Sequence, residues 1–487
     1  MKATLTNKFK PVMHDTPPVV DCKKRESIKL PAASEEKAWK VIQEKLVAAL
    51  EELQYLLCVE SDQPIDAVVE KYEEVVYEKL VECCEVHSPK QRDHPQRAAA
   101  KRGKAGKKEL WLRERKRELG QQRKAIARGD VVVSARKKKE VTREWRQITK
   151  MRRRVRVDRE QRDLARKQAN EQRKFTADKY QYSKELFDPP NSAAPTFGVD
   201  EAYTHFTKTN TDAERSAVLQ PMPGWQRPKA PSYPFQMSEP TLDQLKAAVA
   251  CKKSKCAPGI NAIPYLVYKK CPAILKFLLQ IVKRVWRKRT IPASWQRGAI
   301  ILIPKSSTTD LADPKEFRPI ALLNSEGRLF FTLMEWRLSD YMINNGYFDT
   351  TVQKGFMRQV AGCVEHSETI YRAAQDARTH GRDLCVSWID LANAYGSVKH
   401  SLIHFSLEWY WVPDAFCELM WHYYEGLMAS VSVGTAQTPW FWFGIGVFQG
   451  CTVSTVLFNA AFNTSFQHLA ASETNCGYQF RYERKNK

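Results

Sequence analysis

Three short stretches of this 487-residue chain hold residue types that can do chemistry on phosphates. The runs AIILIPK (299–305) and FRPIALL (317–323) are apolar and β-type, and the turn-rich stretch Ser306–Pro314 between them predicts a hairpin. Lys305 closes the first strand and Arg318 opens the second, so the two cations can converge. A guanidinium grips two phosphate oxygens at once and an ammonium adds a point charge, a pair that suits a triphosphate. In LCVSWIDLANAYGSVKH (384–400), Leu384, Val386 and Trp388 share one strand face, Cys385, Ser387 and Ile389 share the other, and the run ends at Asp390. A carboxylate at the mouth of a buried strand is unfavourable unless it meets a metal or a donor, which makes Asp390 the first candidate for a divalent-cation ligand. Its alternative role is the N-cap of the segment that follows. In GIGVFQGCTVSTVLFNAAFN (444–463), Gly444, Gly446 and Gly450 permit close backbone approach, and a helix is predicted after Cys451 with Val453, Val456, Leu457 and Ala460 on its apolar side. Taken singly, each of these residues is more often structural than functional.

The elements that must position them begin with two amphipathic stretches. Trp39, Ile42, Leu46, Leu50, Leu53 and Leu57 recur at helical spacing, and Val68, Tyr72, Val75 and Leu80 repeat the pattern over 65–84. These predict a largely helical N-terminal region over 1–100. Residues 101–180 then hold 30 Lys or Arg against 11 Asp or Glu, so this stretch carries +19 of the formal net charge of +23. Such a run calls for a polyanion, and residues 101–185 are expected to be a basic, helical or disordered nucleic-acid-binding arm, with Arg136, Lys137, Lys138, Lys139, Arg152, Arg153 and Arg154 as backbone contacts. The same clusters fit a nuclear-import signal. Prolines between 189 and 240 predict a linker or extended strap over 186–240. Thr241 with Gln244 forms a capping-box signature, and a compact domain is expected over 241–487. No stretch reaches 18 apolar residues and the N-terminus MKATLTNKFKPVM lacks a signal-peptide core, so the expectation is an intracellular protein with no membrane partner, in nucleus or cytoplasm. The 12 cysteines show no zinc-finger spacing and are expected to be reduced.

Six motifs in order, KSKCAPGINAIP (253–264), ILIPK (301–305), FRPIALLNSEGRLF (317–330), QKGFM (353–357), WIDLANAYGSVKH (388–400) and FQGCTVSTVLFNAAF (448–462), resemble those of the reverse transcriptases of non-LTR (LINE-like) retrotransposons. The resemblance runs from about Phe235 to the C-terminus. It implies an α+β fold, a partial right-hand polymerase with fingers and an incomplete palm, preceded by the helical, basic N-terminal region. It also implies RNA-directed DNA polymerisation on an RNA template and a DNA primer, with deoxynucleoside triphosphates as substrates and Mg²⁺ or Mn²⁺ as cofactor. Asp390 resembles the first catalytic aspartate, with the Leu391 carbonyl as a second metal contact. Lys305 and Arg318 resemble contacts to the incoming triphosphate, Tyr395 the aromatic gate against a ribose 2′-hydroxyl, and Gln449 and Gly450 the pair beside nucleotide and template.

The departures carry their own expectation. Phe448 stands where proline is frequent, Cys256 interrupts the usual Gly-Lys, and Asn261 stands where aspartate is common. No aspartate follows Gly450, and Glu473 and Glu483 are the remaining acids. The family's paired-aspartate motif is thus not found, and a two-metal centre needs carboxylates from both elements to hold its ions roughly 3.5–4 Å apart. The chain is therefore expected to be truncated before that motif and to polymerise weakly or not at all. The competing reading is a non-catalytic RNA- or DNA-binding protein that keeps the polymerase fold as a scaffold; a third makes 34–180 an arm for protein assembly.

Overall fold

The computed structural model describes residues 25–480 except 59–61, 88–106, 129, 178–193, 216, 255, 307–308, 359, 361 and 472–476. The N-terminal stretch MKATLTNKFKPVM, the first prolines of the expected strap (Pro189, Pro190), Glu473 and Glu483 lie outside the described residues. The chain divides into two compact units, 1–89 with 192–487, and 90–191.

In the first unit, β1 (Ser27–Lys29) pairs antiparallel with β2 (Glu85–His87), bracketing α1 (Glu36–Glu52), α2 (Gln54–Leu57) and α3 (Ile65–Cys83). The spacing of Trp39, Ile42, Leu46 and Leu50 on α1 and of Val68, Tyr72, Val76 and Leu80 on α3 gives each helix one buried stripe. These stripes do not close a domain of their own. They belong to the same apolar core as Leu245, Leu278, Phe330, Phe416 and Leu457, so α1–α3, the described helices of the region predicted over 1–100, share the core of the body that follows. Polar links run the same way: Lys276 pairs with Glu51 at 3.0 Å, and the Ala273 N–H donates to Gln43 at 3.2 Å.

The second unit holds α4 (Lys107–Arg128) and the 43-residue α5 (Ala135–Ala177). Leu112, Leu119, Val141 and Ile148 form its small core. Trp145 packs beside them, with the guanidinium of Arg123 4.3 Å and the ammonium of Lys116 5.2 Å from its ring. Arg115 bridges to Glu144 at 2.8 Å.

Back in the first unit, α6 (Val199–Thr209) interrupts the predicted linker, and the rest of 217–240 is tied down. The Arg227 guanidinium lies 3.4 Å from the centre of the Trp411 ring, Trp411 Nε1 donates to the Pro228 carbonyl at 2.9 Å, and Trp286 Nε1 donates to Met237 at 3.2 Å. Proline denies this segment a helix, but its carbonyls still need donors, and the body supplies them. Next come α7 (Leu242–Ala250), α8 (Tyr265–Lys270) and α9 (Leu275–Lys288). The capping box forms as expected, with the Gln244 N–H on Thr241 Oγ1 at 3.3 Å and the Thr241 N–H on Gln244 Oε1 at 3.2 Å.

The remaining elements are β3 (Arg297–Pro304), β4 (Phe317–Leu322), α10 (Ser325–Asn344), α11 (Val364–Thr379), α12 (His400–Trp409), α13 (Asp414–Glu425), β5 (Met428–Val433), β6 (Ala436–Gln437), β7 (Phe441–Trp442) and α14 (Thr452–Ala471). The sheet runs β4-β3-β5-β6, with β7 also on β5. The hairpin is there: β3 and β4 are antiparallel, with Ile303 opposite Arg318 and Pro304 opposite Phe317. β3 and β5 are parallel, which the long connection between them allows. One predicted strand is not found. Residues 384–390 belong to no helix or ladder, with Trp388 80% and Ile389 89% exposed. Alternation of apolar side chains prepares a strand, but a strand exists only against a hydrogen-bonded neighbour, and the described residues offer this segment none.

Candidate functional site

Lys305, Arg318, Asp390, Leu391, Tyr395 and Gln449 line one cavity of about 680 Å³. These six come from four separate stretches of chain, and each reaches the cavity for a local reason. At the loop end of the β3–β4 hairpin, the Lys305 N–H donates to the Glu316 carbonyl at 3.0 Å, and the Arg318 guanidinium reaches the Lys305 carbonyl at 3.5 Å. Both side chains are exposed, so the cations stand free to meet an anion. Lys315, on the turn just before β4, adds a third positive group to the lining.

Asp390 corrects the sequence reading in one respect. It is exposed, not buried at a strand mouth, because its segment joins no sheet. Nor does it cap a helix: the cap of the short turn Ala394–Gly396 is Asn393, held at φ 52°. Asp390 lines the same cavity as Lys305 and Arg318.

Tyr395 is tightly held. Its ring stacks on Phe458 of α14 at 4.9 Å and 3°, with Phe356 edge-on at 6.4 Å. Burial pushes its phenol up to about 12, and its hydroxyl has no partner among the described residues. Gln449 is fixed from its backbone: its carbonyl accepts from the Ala321 N–H of β4 at 2.7 Å. Gly450 follows at φ +123°, and a Cβ there would lie 2.5 Å from the Ala321 carbonyl oxygen, so glycine is required by both conformation and space. Gly450 is not itself among the residues lining the cavity.

Sequence reasoning missed one wall. His205, Phe206, Thr209 and Asn210, on and just after α6, also line the cavity. They lie in the stretch expected to be linker, and the only available signal was the acidic first turn at Asp200 and Glu201. Burial holds the His205 imidazole below its usual range, opposed by Asp313.

The donor set can be tested against a divalent metal. Asp390 is the sole carboxylate among the described residues lining the cavity, and no three His, Cys, Asp or Glu side chains among the described residues come together as a metal site. Asp390 with the Leu391 carbonyl fits one ion shared with phosphate oxygens; it does not fit a pair.

On the second unit, Arg136, Lys137, Lys138 and Lys139 are exposed at the start of α5, and Arg153 and Arg154 are exposed further along with Arg152 half-buried. Lys138, Lys139, Arg143, Arg146 and Lys150 line an open concavity of about 650 Å³ on that helix. Sequence reasoning did not single out the last three, although their spacing of three and four residues puts them on one helical face.

Residues 303–480 match the family described as Reverse transcriptase (RNA-dependent DNA polymerase). Over these residues the chain is similar to a reverse transcriptase domain. It is 25% identical over 203 residues to the "Retrovirus-related Pol polyprotein from type-2 retrotransposable element R2DM" of Drosophila melanogaster, covering 42% of this chain and 18% of that protein. It is 23% identical over 228 residues to the "Retrovirus-related Pol polyprotein from type-1 retrotransposable element R2" of Nasonia vitripennis, covering 47% and 21%. It is 29% identical over 173 residues to the "Probable RNA-directed DNA polymerase from transposon BS" of Drosophila melanogaster, covering 34% and 19%. The chain thus spans about a fifth of the length of these relatives. The matched span of the reverse transcriptase domain takes in every cavity residue from Lys305 onward but neither α6 nor α1–α3, which the core nonetheless joins to it. Among the described residues no helix is long and apolar enough to cross a membrane.

Proposed function

We propose that this chain is part of an RNA-directed DNA polymerase, and that its cavity binds the incoming deoxynucleoside triphosphate opposite an RNA template. The observation that carries the reading is the convergence of Lys305, Arg318, Asp390, Tyr395 and Gln449 on one cavity, from separate stretches of chain. The β3–β4 hairpin acts as fingers, and 384–396 with 444–471 as a portion of the palm. Lys305, Lys315 and Arg318 neutralise and orient the triphosphate, and Arg318 supplies two-point geometry. Tyr395, immobilised on Phe458, presents a fixed ring edge to the sugar and excludes a 2′-hydroxyl. Gln449 and Gly450, pinned to β4, stand beside nucleotide and template. Asp390 and the Leu391 carbonyl would hold Mg²⁺ or Mn²⁺ with the phosphates, which supplies charge neutralisation at the reacting phosphorus. The basic helices of 107–177 contact the template backbone through Arg136–Lys139 and Arg152–Arg154, with no sequence preference and steep salt dependence.

Nucleotidyl transfer needs carboxylates beyond Asp390, so residues 1–487 alone are assigned binding and orientation, with weak extension or none. That Asp390 is the one carboxylate among the described residues lining the cavity also favours the alternative of a non-catalytic nucleic-acid-binding protein. One experiment separates the two: the complex of residues 1–487 with poly-rA/oligo-dT and Mg²⁺ is followed with each nucleotide added. The polymerase reading expects dTTP, and not dGTP, to tighten the complex, with extension close to background. A complex indifferent to dTTP leaves only the binding-protein reading, and robust extension lost in Asp390→Ala would refute the assignment of weak activity.

A further inference from the structure

The stretch 444–450 crosses the floor of the site as a taut strip of backbone. The Gly444 and Ile445 N–H groups donate to the Asn210 carbonyl at 2.8 and 3.2 Å, the Gly446 N–H to Val398 at 2.8 Å, and the Val447 N–H to Tyr395 at 2.8 Å. At its far end the Gln449 carbonyl accepts from Ala321. The strip therefore couples the backbone of the proposed sugar gate, Tyr395, to that of Gln449.

The remaining carbonyl at the middle of the strip has one partner, His400. Its Nε2 lies 2.8 Å from the Gly446 oxygen. Gly446 sits at φ +94°, and a Cβ there would lie 2.9 Å from both Gly396 Cα and the Tyr395 carbonyl oxygen, so this peptide is clamped between the 395–398 turn above and the imidazole below. His400 is 1% exposed at the first position of α12, its ring 4.2 Å from that of Tyr424. Since a carbonyl can only accept, Nε2 carries the hydrogen; Nδ1 has no partner among the described residues. Burial first and the Arg215 guanidinium second hold the imidazole down at about 3, while the bond to Gly446 opposes them, so the ring is neutral at any physiological pH. Arg215 is itself anchored to the Tyr424 carbonyl at 3.2 Å. A neutral, buried, one-donor imidazole aimed at a single carbonyl is a device for setting a peptide plane.

We propose that His400 is a positioning residue for nucleotide selection: by fixing the Gly446 peptide it sets the height of the Tyr395 ring against the sugar and thereby the preference for deoxy- over ribonucleotides. The inference rests on the nucleotide reading of the cavity. Without the donor, the Gly446 oxygen is left unpaired in a buried setting, the peptide turns, and the hydrogen bonds that tie 446–447 to Val398 and Tyr395 lose their alignment.

The test uses residues 1–487 on poly-rA/oligo-dT with Mg²⁺, cross-linking radiolabelled dTTP by ultraviolet light and displacing it with unlabelled dTTP or UTP. The ratio of the UTP to the dTTP half-displacement concentration does not depend on how much of the sample is folded. His400→Leu fills the volume without a donor, and His400→Gln restores one. The ratio is expected to fall about tenfold in His400→Leu and to recover most of that in His400→Gln. A His400→Leu ratio equal to that of the unaltered chain, or a His400→Gln ratio no better than that of His400→Leu, overturns the proposal and leaves the nucleotide reading intact. Failure of the unaltered chain to cross-link dTTP at all would remove both.

Discussion

At the scale of single residues, the argument turns on Arg318 and Asp390. Arg318 sits at the start of β4, opposite Ile303, with its guanidinium near the Lys305 carbonyl. Arg318→Lys keeps the charge but loses the fork. A charge-assisted hydrogen bond contributes about 2 kcal/mol, so dTTP affinity is expected to fall roughly 30-fold on poly-rA/oligo-dT. Binding of the bare template–primer should stay within about twofold; an equal loss of both would place Arg318 on nucleic-acid backbone instead. The placement of Lys305 and Arg318 was legible because a hairpin needs only local sequence: two β-type runs and a turn. The exposure of Asp390 was not, since alternation in 384–389 records what the segment can pair with and not whether a neighbour is present. Gly450 was legible as a close approach, though its partner, the Ala321 carbonyl, is over a hundred residues away and had no local signature.

At the scale of elements, the helices before residue 90 matter more than their sequence suggested. Periodicity in 36–83 showed two helices with apolar stripes, but nothing local could show that the stripes bury against the same core as α9 and α10. The join is also polar. Glu73 of α3 and Glu326 of α10 are both buried; Asn324 Nδ2 donates to Glu73 at 2.9 Å, Asn261 Nδ2 donates to Glu326 at 2.8 Å, and the Tyr268 hydroxyl bonds Glu326. Asn261 thus supplies a donor to a carboxylate that an aspartate at this position would repel. Burial raises Glu73 to about 8, with the Glu326 charge adding to it and Arg25 opposing; burial raises Glu326 as well, opposed by Tyr268 and Asn261. Tyr72 and Tyr268 face the same pocket and burial raises both phenols, so they stay neutral in this range. A raised acid holds its proton longer when folded, so its contribution is present below the ordinary carboxylate range and is lost as pH rises toward 8. The melting temperature of residues 1–487 is expected to fall by a few degrees from pH 5.5 to pH 8.5, at roughly 2–4 °C per kcal/mol, and the slope should flatten in Glu73→Gln. An unchanged slope in that variant would remove Glu73 as its source.

At the scale of the whole molecule, +19 of the +23 net charge falls in 101–180, and α4 and α5 turn that composition into helices with cations exposed on the surface of α5. Charge legibly named a polyanionic partner. It could not show that Trp145 would be spent on packing with Arg123 and Lys116 rather than offered for stacking. The mixed helix and sheet of the body followed from the motif resemblance, with help from the hairpin and the helical runs, and the strap of 217–240 was legible as irregular but not as bound, because the tryptophans that hold it, Trp286 and Trp411, are far away in sequence. The account stands on the claim that one cavity, floored by 443–449 and edged by β4 and 390–396, receives a deoxynucleoside triphosphate. The most direct measurement is photo-cross-linking of azido-substituted dUTP to residues 1–487 on poly-rA/oligo-dT, followed by identification of the labelled peptides. Labels within 205–210, 305–319, 390–396 and 443–449, displaced by dTTP, are predicted; labels confined to 107–177, or undiminished by dTTP, would contradict it.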